Sequence, residues 1–150
     1  MKINKGDIFK IGDHIIGCGD SLDNAFVAKV IGNNKIRAVV TDPPYGVAYV
    51  ENKIGFSKLG VKNEKVIAND HLQSEEEYEQ FTSKYLGATI PHLEEYNTVY
   101  IFNADLMFPS LRLGMKSAGF YYSQMIIWLK NQPVMSRKDY LSMYELIAYG

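Results

Sequence analysis

Four consecutive residues, Asp42, Pro43, Pro44 and Tyr45, combine a carboxylate, two prolines and an aromatic ring. Proline fixes its own φ angle and keeps the residue before it out of the helical region, so these residues predict a stiff, extended turn. Proline also has no amide hydrogen, which leaves the carbonyls of Asp42 and Pro43 able to accept hydrogen bonds from a ligand. A ligand that carries an amino group suits this turn. The alternative interpretation is that the two prolines only end the strand and that Tyr45 packs in the core.

A predicted strand, helix and strand position the turn. The apolar run at residues 36–40 ends at the turn and predicts a buried strand, and residues 14–18 form a shorter apolar run. Between them, residues 22–31 show a helical apolar face, with Asp20 or Ser21 as the predicted cap. This order predicts a parallel pair of strands joined by a right-handed crossover. Ligands of open parallel sheets bind beyond the carboxyl ends of the strands, so we expect Asp20 and the turn at one edge.

The second half of the sequence predicts further elements around the same edge. Ser74 and Glu77 form a capping box at the start of a helix. Asn103 and Asp105 follow an apolar run, where they can line a ligand pocket, although capping of the next helix also explains Asp105. The other predicted elements are a strand at residues 97–103, a helix near 106–117, and strands at 121–129 and 143–149 that can form an antiparallel edge.

The turn resembles the catalytic motif of the S-adenosylmethionine-dependent amino methyltransferases, which methylate adenine N6 or cytosine N4 in DNA. Gly19, Asp20 and Ser21, followed by a helix, resemble the segment that precedes the catalytic strand in this family. Residues 126–131, 139–140 and 145–150 resemble the second half of its catalytic region. The resemblance implies an α/β, Rossmann-like three-layer methyltransferase fold, with a mostly parallel sheet and an antiparallel C-terminal edge.

The resemblance also implies roles for the residues of the turn. Asp42 and the Pro43 carbonyl would receive the exocyclic amino group of the target base, and Tyr45 would stack on its ring. Pro44 belongs to the same catalytic motif, and its fixed φ angle stiffens the turn. Aspartate at the first position of the motif favours adenine N6, and cytosine N4 stays open as the alternative.

The methyl donor and the DNA would contact further residues. The resemblance implies that Asp20 contacts the adenine end of S-adenosylmethionine, whereas a helix cap is the alternative for Asp20. Asn103, at the end of its predicted strand, and Asp42 are further candidate contacts of the donor. Trp128 would border the base pocket and Lys130 would lie near a phosphate, although Trp128 also reads as a core residue of a strand. Lys53 belongs to a lysine-rich segment that predicts either a basic surface for double-stranded DNA or a solvated loop.

The resemblance covers only part of the family pattern. No glycine-rich donor motif of the Phe-x-Gly-x-Gly type occurs in the sequence, and no target-recognition region follows the catalytic motif. We therefore expect residues 1–150 to be a single, partial catalytic domain with an incomplete sheet. A missing C-terminal half or a second subunit would complete it. A catalytically inactive remnant that binds DNA or regulates another chain is the competing hypothesis.

Composition excludes several other classes of protein. A chain of 150 residues is long enough for one domain with a core. No apolar run approaches the length of a membrane span, so we expect a cytoplasmic protein. Cys18 is the single cysteine and the three histidines have no ligand spacing, so we predict no metal site. The net charge of -1 is low for a protein that grips DNA, which fits the expectation that the DNA-binding region is absent.

Overall fold

The computed structural model describes residues 2–47, 71–133 and 139–150 as two sheets and three α-helices. A four-stranded sheet forms the centre, and a separate two-stranded hairpin lies near the N-terminus. The strands are β1 (Ile8–Ile11), β2 (His14–Gly17), β3 (Ile36–Thr41), β4 (Leu93–Asn103), β5 (Gln124–Leu129) and β6 (Tyr144–Tyr149), and the α-helices are α1 (Asn24–Ile31), α2 (Glu75–Gly87) and α3 (Phe108–Ser117).

The central sheet is mixed, with the order β3, β4, β6, β5. β3 runs parallel to β4, while β6 runs antiparallel to both β4 and β5. β3, β4 and β5 therefore point in the same direction. Their carboxyl ends and the beginning of β6 meet at one edge of the sheet, which we call the carboxyl edge. The predicted α/β class and the antiparallel C-terminal strands are confirmed.

The core lies between one face of this sheet and helices α2 and α3. Val99 and Ile101 of β4 point to this face and are fully buried. Capping of α2 follows the sequence prediction, since the Ser74 hydroxyl accepts from the Glu77 amide and the Glu77 carboxylate accepts from the Ser74 amide. Gly114 allows α3 to approach α2, because a Cβ atom there would lie 2.5 Å from Cβ of Thr82. The buried apolar cluster comprises Tyr78, Tyr85, Leu86, Val99, Ile101, Met107, Leu111, Met115, Phe120 and Ala148.

The opposite face of the sheet is more exposed. Val40 is aligned with Tyr100 on this face, and it is 67% exposed although it is a β-branched residue of a central apolar run. β3 also forms an edge of the sheet, because β4 is its partner in the described part of the chain. An apolar edge strand is the kind of surface that natural proteins usually cover.

Two sequence predictions for the N-terminal region are wrong. β2 pairs with β1 in an antiparallel hairpin closed by a two-residue turn at Gly12 and Asp13, so it forms no parallel pair with β3 in the described structure. Gly12 takes a φ of 60°, which suits such a hairpin turn. The cap of α1 is Asp23, whose carboxylate accepts from the Ala25 and Phe26 amides. A short apolar run does not reveal which neighbour its backbone will pair with.

Candidate active site

The proline turn and Asn103 reach the carboxyl edge together. Thr41, the last residue of β3, is aligned with Ile101 of β4, which places Asp42 level with Phe102. Asn103 then ends β4 beside the turn. The structure thus places Asp42, Pro43, Pro44 and Tyr45 at the carboxyl end of β3, as predicted, although the parallel partner of β3 is β4 and not β2.

Gly46 holds the end of the turn through its backbone conformation and a backbone hydrogen bond. It is buried, has a φ of 65°, and its carbonyl accepts a hydrogen bond of 3.0 Å from the Gln73 amide. This bond connects the end of the turn to the residue that precedes the cap of α2. Only glycine fits easily here, because a Cβ atom would lie 3.1 Å from the Tyr78 ring and 3.2 Å from Cβ of Gln73.

The Tyr45 side chain folds back onto Asp42. Its hydroxyl donates a hydrogen bond of 2.8 Å to Oδ1 of Asp42. Burial raises the pKa of Tyr45 well above its usual value, and the hydrogen bond to Asp42 and the nearby charges of Asp42 and Glu145 raise it further. The phenol therefore stays protonated and remains a donor. Asp42 itself is exposed, so a second donor can approach the carboxylate.

Asn103 is buried beneath this edge and is 1% exposed. Its Nδ2 donates a hydrogen bond of 2.7 Å to the Tyr78 hydroxyl of α2. Its Oδ1 is buried and accepts no hydrogen bond from the described residues. An unsatisfied buried amide oxygen is uncommon and costs about 1–3 kcal/mol, so this oxygen is able to accept a hydrogen bond from a group outside the described residues.

Asp20 is placed by local contacts in the described structure. One of its carboxylate oxygens accepts a hydrogen bond of 3.0 Å from the Leu22 amide, and the other lies 3.5 Å from the Lys5 ammonium. Leu22 packs against the main core, so this segment adjoins the sheet domain. Within the described residues, Asp20 makes no hydrogen bond to Asp42 or Asn103.

Trp128 and Lys130 reach the other end of the carboxyl edge, where β5 ends. The Lys130 ammonium forms an ion pair with Glu145 of β6, and it lies 5.8 Å from the centre of the Trp128 ring. The Trp128 ring is 52% exposed and meets Phe102 edge-on, with 6.1 Å between ring centres. Sequence reasoning missed Glu145, because an isolated glutamate in an apolar run gives no signal until its partner is known.

A cleft of about 350 Å³ opens at the same edge, a size that falls in the usual range for small-molecule sites. Asp105 stands on one side of it, directly after the end of β4. The segment that leads into β6 supplies the rest of the lining, which comprises Asp139, Tyr140, Leu141, Ser142 and Tyr144.

The remaining site predictions concern Lys53, metals and membranes. Lys53 lies outside the described residues. No group of three or more histidine, cysteine or acidic side chains in the described ranges is arranged to hold a metal ion. The helices that the structure describes are all too short or too polar to cross a bilayer.

Comparison with known protein families shows which family the chain belongs to. The sequence profile N6_N4_Mtase, described as DNA methylase, matches residues 36–149, which include the proline turn, α2, α3 and all four strands of the central sheet. The chain belongs to the DNA methylase family. A search of curated proteins found no significant match to this chain.

Solved structures give the same fold for this DNA methylase chain. The crystal structure of M1.HpyAVI in complex with SAM matches with a TM-score of 0.51 and 18% sequence identity, covering 85% of this chain and 50% of that one. The crystal structure of M1.HpyAVI matches with a TM-score of 0.52 and 17% identity, covering 85% of this chain and 52% of that one. The fold is therefore the Rossmann-like methyltransferase fold, and this chain spans about half the length of the proteins it matches.

Proposed function

We propose that this chain carries the base-amino pocket of a DNA methyltransferase that transfers a methyl group from S-adenosylmethionine to adenine N6. The observation that carries the proposal is the proline turn, which holds the Asp42 carboxylate and the Tyr45 ring together at the carboxyl edge of the sheet. The family match supports DNA methylation as the activity. The choice of adenine over cytosine N4 rests on aspartate at the first position of the turn.

Asp42 and the Pro43 carbonyl activate the amino group of the base as a nucleophile. An amino group on a purine is a weak nucleophile because its lone pair is shared with the ring. Two acceptors that bind its two N–H bonds allow the nitrogen to pyramidalise and direct its lone pair at the methyl carbon. Formation of the new N–C bond would accompany loss of the donor's S–C bond, and positive charge would develop on the nitrogen. The Asp42 carboxylate would stabilise that charge and accept the proton that leaves.

The residues present fit part of a donor site. S-adenosylmethionine supplies an activated methyl group on a sulfonium. The orphaned Oδ1 of Asn103 offers a buried acceptor at the carboxyl edge, and Asp20 offers a carboxylate that is 39% exposed. Because the sequence holds no Phe-x-Gly-x-Gly motif, we propose that residues 1–150 are a partial catalytic domain and that another polypeptide segment completes the donor site.

The target base must leave the DNA duplex before it reaches Asp42, which costs a few kcal/mol. Stacking on Tyr45 returns about 1–3 kcal/mol of that cost. Trp128, half-exposed at the other end of the edge, supplies a second aromatic surface for the base or its neighbour. We also propose that Lys53 contacts the DNA backbone.

Methyl transfer from labelled S-adenosylmethionine to duplex DNA tests the proposal, with the chain alone and with the complementary half of a family member. Identification of the methylated nucleoside separates N6-methyladenine from N4-methylcytosine. We expect Asp42→Ala to lower the rate by roughly 100-fold or more, because it removes the acceptor of the developing charge. A variant that keeps the wild-type rate would exclude this mechanism. DNA binding without any methyl transfer in the completed domain would favour the inactive remnant.

A further inference from the structure

Three side chains at the end of β5 and the beginning of β6 form one cluster, which we call the Trp128 cluster: Trp128, Lys130 and Glu145. Trp128 is aligned with Glu145 across the antiparallel ladder, so the two side chains leave the same face of the sheet as neighbours. Lys130 follows Trp128 by two residues and returns to that face. Its ammonium forms an ion pair with Glu145 and lies 5.8 Å from the centre of the Trp128 ring.

We propose that Glu145 is a positioning residue of the site, which fixes Lys130 through their ion pair so that Lys130 holds the Trp128 ring at the carboxyl edge. The role deepens the proposed function, and it rests on that function in assigning the edge to a flipped base. In this role Lys130 supports the Trp128 ring and does not contact the DNA backbone. A lysine whose charge is neutralised by a carboxylate is a poor contact for a DNA phosphate, because little charge remains to displace counterions.

Burial distinguishes this ion pair from a surface pair. The side chains of Lys130 and Glu145 are 22% and 26% exposed, whereas those of Arg37 and Glu94, which pair on the same sheet, are 82% and 37% exposed. Largely buried charges require their partner, since removal of one leaves the other uncompensated. An exposed pair contributes little. The chain therefore contains a matched control for any substitution of Glu145.

Contacts connect the Trp128 cluster to the proline turn. The Trp128 ring meets Phe102 edge-on across the intervening strand, and Phe102 lies level with Asp42. The backbone at Lys130 is fixed as well, because its amide donates a hydrogen bond of 2.7 Å to the Met143 carbonyl. Glu145 is also close enough to the turn to contribute to the raised pKa of Tyr45. A displaced Trp128 would thus alter the far wall of the same site.

The indole of Trp128 provides a direct test, because this residue is the only tryptophan in the sequence and gives a single indole N–H signal in a ¹⁵N NMR spectrum. In the 150-residue chain, we expect Glu145→Gln to shift this signal and weaken its heteronuclear NOE, as the ring loses its fixed position. Glu94→Gln, which breaks the exposed pair, should leave the signal in place. An unmoved signal in folded Glu145→Gln overturns the proposal.

A double variant keeps the test decisive where Glu145→Gln unfolds the chain. Lys130→Ala with Glu145→Gln leaves no unpaired charge, so we expect it to be more stable to urea than Glu145→Gln alone, while its indole signal stays displaced. A signal that returns to the wild-type position would show that Lys130 does not hold the ring, and would overturn the proposal. These samples contain neither DNA nor methyl donor, so absent methyl transfer by the wild type would count against the proposed function alone.

Discussion

In the described structure, the Tyr45 hydroxyl donates a hydrogen bond to Oδ1 of Asp42, one of the two oxygens that the proposed function offers to the amino group of a base. A carboxylate can accept several hydrogen bonds, so the amino group can bind beside the hydroxyl or take its place at Oδ1. The raised pKa of Tyr45 means that the hydroxyl remains a donor at neutral pH. The hydroxyl keeps the carboxylate oriented, and under the proposed function it would compete with a base amino group that binds Oδ1.

Substitution of Tyr45 separates the ring from the hydroxyl. Tyr45→Phe keeps the stacking surface and removes the competitor, so we expect KM for DNA to fall about 2- to 10-fold with little change in kcat, since one exposed hydrogen bond is at stake. Tyr45→Ala also removes the ring and should raise KM for DNA instead, by the loss of stacking. Steady-state kinetics in the completed domain measure both effects. Equal losses in the two variants would show that the hydroxyl assists catalysis rather than competing.

At the scale of elements, the turn depends on the glycine that ends it. Gly46 and Gly32 both take φ near 65°, with values of 65° and 64°, but the surroundings differ. A Cβ atom on Gly46 would meet Tyr78 and Gln73, whereas one on Gly32 would meet nothing within 4 Å. The two glycines therefore share a positive φ and differ in what an added Cβ atom would contact.

We expect Gly32→Ala to lower the free energy of unfolding by about 1–3 kcal/mol, because its φ of 64° and ψ of -135° form a backbone conformation that residues with a Cβ atom rarely adopt. Gly46→Ala should lower it further, because the Tyr78 ring and the Gln73 side chain must also move. Urea unfolding of both variants measures the difference. Equal destabilisation would mean that the packing between the turn and α2 adapts freely, which would argue against a rigid site.

Some of these elements could be predicted from the sequence alone, whereas several contacts of the site could not. The predicted strand before the turn, the capping box at Ser74 and the arrival of Asn103 at the same edge follow from local patterns and from the direction of parallel strands. The Tyr45 hydroxyl bond and the partnership of Glu145 with Lys130 depend on side-chain directions and on the register of β5 against β6. Register is a property of two strands together, and neither strand's pattern specifies it.

At the scale of the whole molecule, the buried tyrosines make stability depend on alkaline pH. Burial raises the pKa of Tyr85 in the core, as it does for Tyr45 at the site. In the unfolded chain both phenols would ionise near pH 10. Above that pH the folded state therefore binds more protons than the unfolded state, and the free energy of unfolding falls as the pH rises.

We expect the urea midpoint of the wild type to fall as the pH is raised above about 10, with the tyrosine contribution fully present below that value. Tyr85→Phe removes one of the two ionisations, so its midpoint should fall less steeply over the same range, even if the variant is less stable at neutral pH. Parallel slopes for the two proteins would show that Tyr85 ionises as readily in the folded state as in the unfolded one.

The hydrogen bond between the Gly46 carbonyl and the Gln73 amide also has a consequence for how such a chain diversifies. This bond joins Gly46 to Gln73, so the two described ends of the chain on either side of residues 48–70 lie next to each other. The entropy of closing a loop grows slowly with its length, by about 0.6 kcal/mol for each doubling. A change of length between Gly46 and Gln73 therefore adds little to the entropy of closing the chain between these two fixed ends.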